Sequence, residues 1–415
     1  MQRVRNTSRV RNASPARESL TRGSFLAGAA AVGAGALVGT ALSGQAAAGA
    51  RAAGALAAGE GAATAGRAAR GLTYRGVMYE CQDGETPHTG WDRARMRSDL
   101  RVVAHDLHAN SVVAFGTGVE RLAATAAEAA ERGLHVWLQP RLADLPERQI
   151  LDHLAETGRE AERLRKQGAR VYLSVGCEFI LFVPGIVPGD NAVERVQNML
   201  AGNWNPEEAQ RKLDRLVPLA ARTGRRVFHG PLTYGAAFGD KVDWDLFDLV
   251  SVNYYAYFAD PQGYVKELAP YRAWGKPVAI TECGTCTFEG APQAGGMGWD
   301  VVDYDKPEPE IRPGVRRSER VQAQYLTEVL DVYERMDLHA AMVYQFVTPD
   351  APHRRERRHD LDIASYGLVK PRWRTEDDPT SRWYWEPKES FHAVARHFAA
   401  RAGGGGTAGG PTPRP

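Results

Sequence analysis

Val171-Tyr172-Leu173-Ser174-Val175-Gly176-Cys177-Glu178 reads as a buried strand that ends on a charge. Side chains alternate across a strand, so Val171, Leu173 and Val175 share one face, suited to packing beneath helices. Ser174, Gly176 and Glu178 share the other face, which points into a barrel if the sheet closes. Seven further short runs repeat the theme. They are Tyr74–Tyr79, Asn110–Phe115, Leu134–Pro140, Arg226–Leu232, Leu249–Tyr254, Val278–Glu282 and Ala341–Phe346. Amphipathic helical patterns lie between most of them, as in Val119–Arg132, Pro146–Gln167, Pro206–Thr223 and Ser318–Met336, and Glu389–Arg401 closes the ring. Strands alternating with helices predict a parallel sheet, and eight repeats predict a closed (β/α)8 TIM barrel, an α/β fold, over residues 72–402. Gly76 sits inside the first strand and no Gly-rich loop follows it, which argues against a dinucleotide-binding sheet. The fifth unit is short, so its helix is expected to shrink to a turn around Trp244–Phe247.

The flanks read differently. Residues 1–70 hold nine Arg against two Glu, a net +7, so the rest of the chain carries −5 of the overall +2. A mildly acidic domain gives no basic footprint for nucleic acid. Arg3, Arg5, Arg9, Arg11, Arg17 and Arg22 precede an apolar Phe25–Leu42 stretch, and Ala46-Ala47-Ala48 offers a cleavage site. Residues 1–48 are therefore expected to be an export signal, 49–71 a flexible linker and 403–415 a disordered Gly/Pro tail. Thr21-Arg22-Gly23-Ser24-Phe25-Leu26 resembles a twin-arginine signal, with Gly23 at the second arginine position, so twin-arginine and general export both stay open. The expected location is extracytoplasmic, with no membrane contact after cleavage.

In such a barrel, chemistry sits at the C-terminal ends of the strands. Glu178 ends the fourth and Glu282 the seventh. Two carboxyl groups about 5–5.5 Å apart suit a retaining glycosidase, one as acid/base and one as nucleophile. Aromatic rings near the mouth suit the C–H faces of a sugar, and Trp91, Tyr234, Tyr255 and Trp299 are candidate contacts. His229, placed inside the fifth strand, is a further candidate, as is Asn253. The long loops Cys283–Val315 and Val347–Tyr366 would shape the entrance. The run from His353 to Asp360 reads as a solvated loop. All four cysteines lie near the mouth; free thiols, a Cys81–Cys286 disulfide and a metal site joined by His88 are each compatible with that placement. No complete zinc ligand set is apparent, so neither a metal nor a cofactor is expected. The oligomeric state leaves no signal.

On these residues the chain resembles clan A of the retaining glycoside hydrolases. The resemblance implies Glu178 as acid/base, Glu282 as nucleophile, a carbohydrate substrate, and a tyrosine after strand six bonded to the nucleophile, which the pair Asn253 and Tyr255 matches. Two positions depart from that pattern. Cys177 stands where the clan places Asn, and Val113-Ala114-Phe115-Gly116 lacks the clan's arginine at the end of strand two. The segments Gly133–Pro140, Ser174–Phe179 and Gly295–Asp303 also look like a group of actinobacterial proteins labelled abortive phage infection proteins. That likeness implies an alternative, an exported barrel that binds or defends rather than cleaves.

Overall fold

The computed structural model describes residues 71–81 and 90–402; the expected export signal, linker and tail lie outside them, as does His88. Eight parallel strands close a barrel. They are β1 (Tyr74–Glu80), β2 (Ser111–Gly116), β3 (His135–Pro140), β4 (Val171–Cys177), β5 (Leu232–Ala237), β6 (Val250–Asn253), β7 (Val278–Cys283) and, after a small β8–β9 hairpin (Val302–Asp303 and Glu310–Ile311), β10 (Ala340–Val343). Strand β10 pairs with both β1 and β7, which completes the ring. Helices Arg93–His105, Val119–Glu131, Glu147–Lys166, Pro206–Val227, Pro261–Arg272, Glu319–Arg335 and Glu389–Ala402 surround it, and the fifth unit has only the 3₁₀ turn Trp244–Leu246. A hairpin of β11 (Val369–Trp373) and β12 (Trp383–Pro387) follows the last barrel strand, joined to it through Val347 and Val369.

The expected fifth strand, Arg226–Leu232, is displaced. The helix runs on to Val227, because Leu213, Leu216, Val217, Ala220, Ala221 and Gly224 extend one buried stripe at helical spacing. The strand itself is Leu232-Thr233-Tyr234-Gly235-Ala236-Ala237, fully buried. His229 therefore lies in the connection before β5, at the end of the barrel away from the mouth. Its Nδ1 is 3.3 Å from Glu162 Oε1 and its side chain is 67% exposed. This removes it from the candidate sugar contacts.

Parity along β4 holds where helices cover it. Leu173 packs toward Gly158 and Val175 toward Gly224, each on a flanking helix. Gly76 in β1 is needed for close approach: a Cβ there would lie 2.3 Å from the Ser111 carbonyl oxygen and 2.8 Å from Met342 Sδ. The N-terminal end of the barrel is plugged by rings. Tyr74 stacks on His135 with centroids 4.1 Å apart, and Tyr172 meets the other face of the cluster. Burial first, then the nearby Arg170 and His339 charges, brings the His135 imidazole down to about 3, so the plug is neutral.

Candidate active site

Two irregularities aim the site. Between Ser174 and Cys177 the β4–β5 register slips, and Glu178 then adopts left-handed backbone angles, φ 38° and ψ 56°. A non-glycine residue held there costs on the order of 1–3 kcal/mol and is found mainly where function needs it. The slip breaks the alternation expected from sequence: Cys177 and Glu178 both reach the interior, where each meets the Asn253 amide. Strand β7 slips likewise against β6 and β10, beside Glu282.

The carboxyls of Glu178 and Glu282 are linked through two intervening side chains. Asn253 Nδ2 donates to Glu178 Oε1 at 3.0 Å and lies 3.4 Å from Cys177 Sγ. The Cys177 thiol in turn lies 3.7 Å from Glu282 Oε1. Thr281 Oγ1 donates to Asn253 Oδ1 at 2.9 Å, which fixes which way the amide points. Tyr255 Oη donates to Glu282 Oε2 at 2.8 Å, and Arg141 makes an ion pair with Glu282 Oε1. Glu178 is 2% exposed and Glu282 0%.

The two glutamates have different surroundings. Glu282 accepts from a guanidinium and a phenol. Glu178 accepts only from Asn253, and its Oε2 is buried without a hydrogen-bond partner among the described residues. Burial, and then the neighbouring Glu282 charge, holds the Glu178 carboxyl well above the usual carboxylate range; Asn253 and Arg141 pull the other way without overcoming it. Burial likewise raises the Tyr255 phenol, so it remains a donor to Glu282. This arrangement can keep a proton on one carboxyl while a cation and a phenol orient the other.

Arg141 is the residue that sequence reasoning missed. It follows β3, whereas the resemblance directed attention to the end of β2. Phe115, from that β2 run, lies under the guanidinium, 4.4 Å from ring centroid to Cζ, and Phe182 lies 5.7 Å away. Arg141 Nη2 also donates to Gln139 Oε1 at 2.6 Å. The strand-end rule that found Glu178 and Glu282 applies equally to Gln139-Pro140-Arg141, so the signal was present. Arg141 Nε and Nη1 and Gln139 Nε2 are buried with no hydrogen-bond partner among the described residues. Buried polar groups are nearly always paired, so several open ones beside two carboxyls mark donors that can serve a polar ligand.

The remaining candidates divide. Asn253 and Tyr255 touch the carboxyls. Tyr234 is wholly buried, and its Oη accepts from the Phe179 N–H at 2.7 Å, so it supports the backbone just after Glu178 from beneath. Trp91 is half-buried against the helix Val119–Glu131, with Nε1 donating to Thr125 Oγ1 at 3.3 Å. Trp299 is 3% exposed in the turn Gly295–Val301, its Nε1 without a hydrogen-bond partner among the described residues.

All four cysteines are buried free thiols, so the Cys81–Cys286 bond is not formed. Burial pushes the Cys81 thiol up to about 12, which suppresses the reactive thiolate. Among the described residues no three His, Cys, Asp or Glu side chains come together to hold a metal ion. Native protein is expected to resist a thiol reagent, release four thiols on denaturation and carry no zinc. Fewer than four thiols in denatured protein, or one equivalent of zinc by elemental analysis, would contradict this.

No protein-family model and no curated protein matches the chain. Solved structures that it resembles include a Bacteroides uniformis beta-glucuronidase 2 covalently bound to cyclophellitol-6-carboxylate aziridine, at 16% identity and TM-score 0.46 over 72% of this chain and 33% of that one. Another is a broad-specificity endoglucanase from Clostridium longisporum, at 11% identity and TM-score 0.44 over 78% of this chain and 96% of that one. The chain thus spans about a third of the length of the glucuronidase. Likenesses this distant say nothing of chemistry, and the functional reading stands on the residues of the site.

Proposed function

We propose that the protein is a glycoside hydrolase that retains anomeric configuration, with Glu282 as nucleophile and Glu178 as acid/base. The observation that carries this reading is the asymmetry of the two carboxyls at the ends of β4 and β7, linked through Asn253 and Cys177. Glu178, held above the carboxylate range and with one oxygen unpaired, donates its proton to the leaving glycosidic oxygen. Glu282, oriented by Arg141 and Tyr255, attacks the anomeric carbon through one carboxylate oxygen as the bond to the leaving oxygen breaks, which forms a glycosyl-enzyme ester. Glu178, now ionised, takes a proton from water, which opens the ester and returns Glu282. No cofactor enters these steps. A panel of aryl glycosides tests the reading, together with a 2-deoxy-2-fluoro glycoside that traps the ester. Mass spectrometry should find the label on Glu282; a label elsewhere sinks the assignment.

The pH profile follows from the same asymmetry. The active form of Glu178 carries a proton, and that proton is lost as pH rises through its elevated value. Activity is therefore expected to persist above the ordinary carboxylate range and to fall on the alkaline side. A kcat/KM profile whose alkaline limb lies at pH 4–5 contradicts the role of Glu178. The folded state also holds this proton longer than the unfolded chain does, so Glu178 lowers stability as pH rises above its unfolded value.

One observation favours a second reading. Both carboxyls are almost sealed from solvent, which suits an exported barrel that binds but does not cleave. In that case no sugar panel shows turnover, while the fold and the Asn253 contacts persist. The phage-defence reading draws no specific support from the site. Export remains part of the proposal, on the basic and apolar N-terminal pattern. The mature chain is expected to begin near residue 49 outside the cytoplasm, and N-terminal sequencing that returns Met1 from cytoplasmic protein counts against it.

A further inference from the structure

Strand β5 holds both amides that flank the turn at Glu178. The Glu178 N–H donates to the Gly235 carbonyl oxygen at 2.8 Å, and the Phe179 N–H donates to Tyr234 Oη at 2.7 Å. The Tyr234 and Phe179 rings also pack together, with centroids 5.0 Å apart. Phe179 in turn needs Gly176, because a Cβ there would strike its ring. Tyr234 therefore grips the residue after Glu178 by its hydroxyl and by its ring. That hydroxyl has a proton of its own to place. A phenol donates once, and a buried donor is nearly always paired. Tyr234 is wholly buried, and the acceptor that its hydroxyl meets is the Asp240 carboxyl. Asp240 follows β5 at the mouth end of the barrel and is half-buried in a tight turn. Its N–H donates to the Ala237 carbonyl oxygen at 3.1 Å, and its Oδ2 accepts from the Ala237 N–H at 3.2 Å. The Gly239 N–H of the same turn donates to Tyr271 Oη at 3.3 Å, which ties the turn to the helix Pro261–Arg272.

We propose that Asp240 is a positioning residue for Glu178: it takes the Tyr234 proton, which leaves the phenol oxygen aimed at the Phe179 N–H and fixes the left-handed turn at Glu178. A residue held in that conformation needs its surroundings to over-determine it, and the fixed Asp240 turn supplies one such restraint. The catalytic meaning of this contact rests on the glycosidase reading. The contact itself does not depend on turnover.

The charges around the turn support it. Burial pushes the Asp240 carboxyl up to about 7, with the Ala237 N–H and the Tyr234 hydroxyl drawing it back. The titratable groups that bear on it are Tyr234 from β5, Tyr271 from the helix Pro261–Arg272, and Glu178 after β4. Burial keeps both phenols protonated, pushing Tyr271 up to about 12. Asp240 therefore ionises near neutrality. Its charge then adds to burial and to the Glu282 charge in keeping the proton on Glu178. Removing that charge should let Glu178 lose its proton at lower pH.

The test compares the full chain with its Asp240→Asn, Asp240→Ala and Tyr234→Phe variants. Titration of Glu178 is followed by NMR in protein labelled isotopically at the glutamate carboxyls, with Glu178→Gln to assign the signal, and needs no substrate. Asp240→Asn should move that titration, and with it the alkaline limb of kcat/KM, to lower pH. Asp240→Ala should lower kcat by about tenfold with little change in KM, as a misaimed catalytic group does. Asp240→Asn should lose less, because its amide oxygen still accepts from Tyr234, and it keeps the test open if the alanine variant folds poorly. Tyr234→Phe should match Asp240→Ala, and combining the two should add little, since both break one chain of contacts. An unmoved Glu178 titration in folded Asp240→Asn overturns the proposal. Fully additive losses in the combined variant also overturn it. A moved titration in a protein that cleaves no glycoside supports the Asp240 contact and overturns the glycosidase reading alone.

Discussion

Glu282→Gln is expected to lower the hydrolysis of any active glycoside by at least about 10⁴-fold, the scale on which a covalent nucleophile is missed. The amide is nearly isosteric with the carboxyl: its oxygen can still accept from Arg141 while its NH2 donates to the Tyr255 hydroxyl, so the fold and substrate affinity should survive. The fluoro-glycoside label should vanish with the activity. Thermal unfolding and binding measured beside kcat separate loss of chemistry from loss of structure. Full activity in this variant would rule out double displacement through Glu282.

Arg141→Met should have the next largest effect. Arg141 is 7% exposed, and it is the cation that pairs with the buried Glu282. Removing one preorganised charged partner from a buried site costs roughly 10²–10³-fold in kcat. Because Arg141 acts by holding the nucleophile, KM should move much less than kcat. Stability should also fall, by about 3–5 kcal/mol, since the variant strands a buried carboxylate without its cation. Adding Glu282→Gln to Arg141→Met should restore most of that stability while leaving the protein inactive. A double-mutant cycle showing no coupling between the two residues, or a kcat within a few-fold of the parent, would remove Arg141 from the nucleophile's support.

The fold was legible because strand–helix alternation repeats eight times, and because Leu173 and Val175 mark the helix-facing side of β4. The fifth strand was misplaced because its residues are small. Gly235-Ala236-Ala237 carries no β-branched signal, whereas Val227-Phe228 before it does, and the helical stripe that claims Val227 emerges only over six turns. That one shift carried His229 from the barrel interior to its far rim. The site was legible in its carboxyls and in Asn253 and Tyr255, all near strand ends. Cys177 is different. Strict alternation assigns it to the helix side, and only the register slip after Ser174 brings its thiol to Glu282. A slip of this kind has no sequence mark. Arg141 illustrates another limit. The contact with Glu282 comes from the end of β3, and a resemblance that directs attention to β2 hides a side chain arriving from the next strand.

The shared use of Asn253 bears on how the pair works. Its amide touches Glu178 and Cys177 at once, and Thr281 fixes its orientation. The Asn253 amide thus joins Glu178 to the thiol beside Glu282. Cys177 is a weak donor, so it holds Glu282 less firmly than Arg141 and Tyr255 do.

The central claim is that Glu178 and Glu282 form a retaining pair, and the distance between their carboxyl groups tests it most directly. A crystal structure of the mature protein should place them about 5–5.5 Å apart, the spacing that lets one attack the carbon whose leaving oxygen the other protonates. A separation of about 9 Å or more leaves room for a water between carboxyl and sugar, and would contradict the double-displacement account.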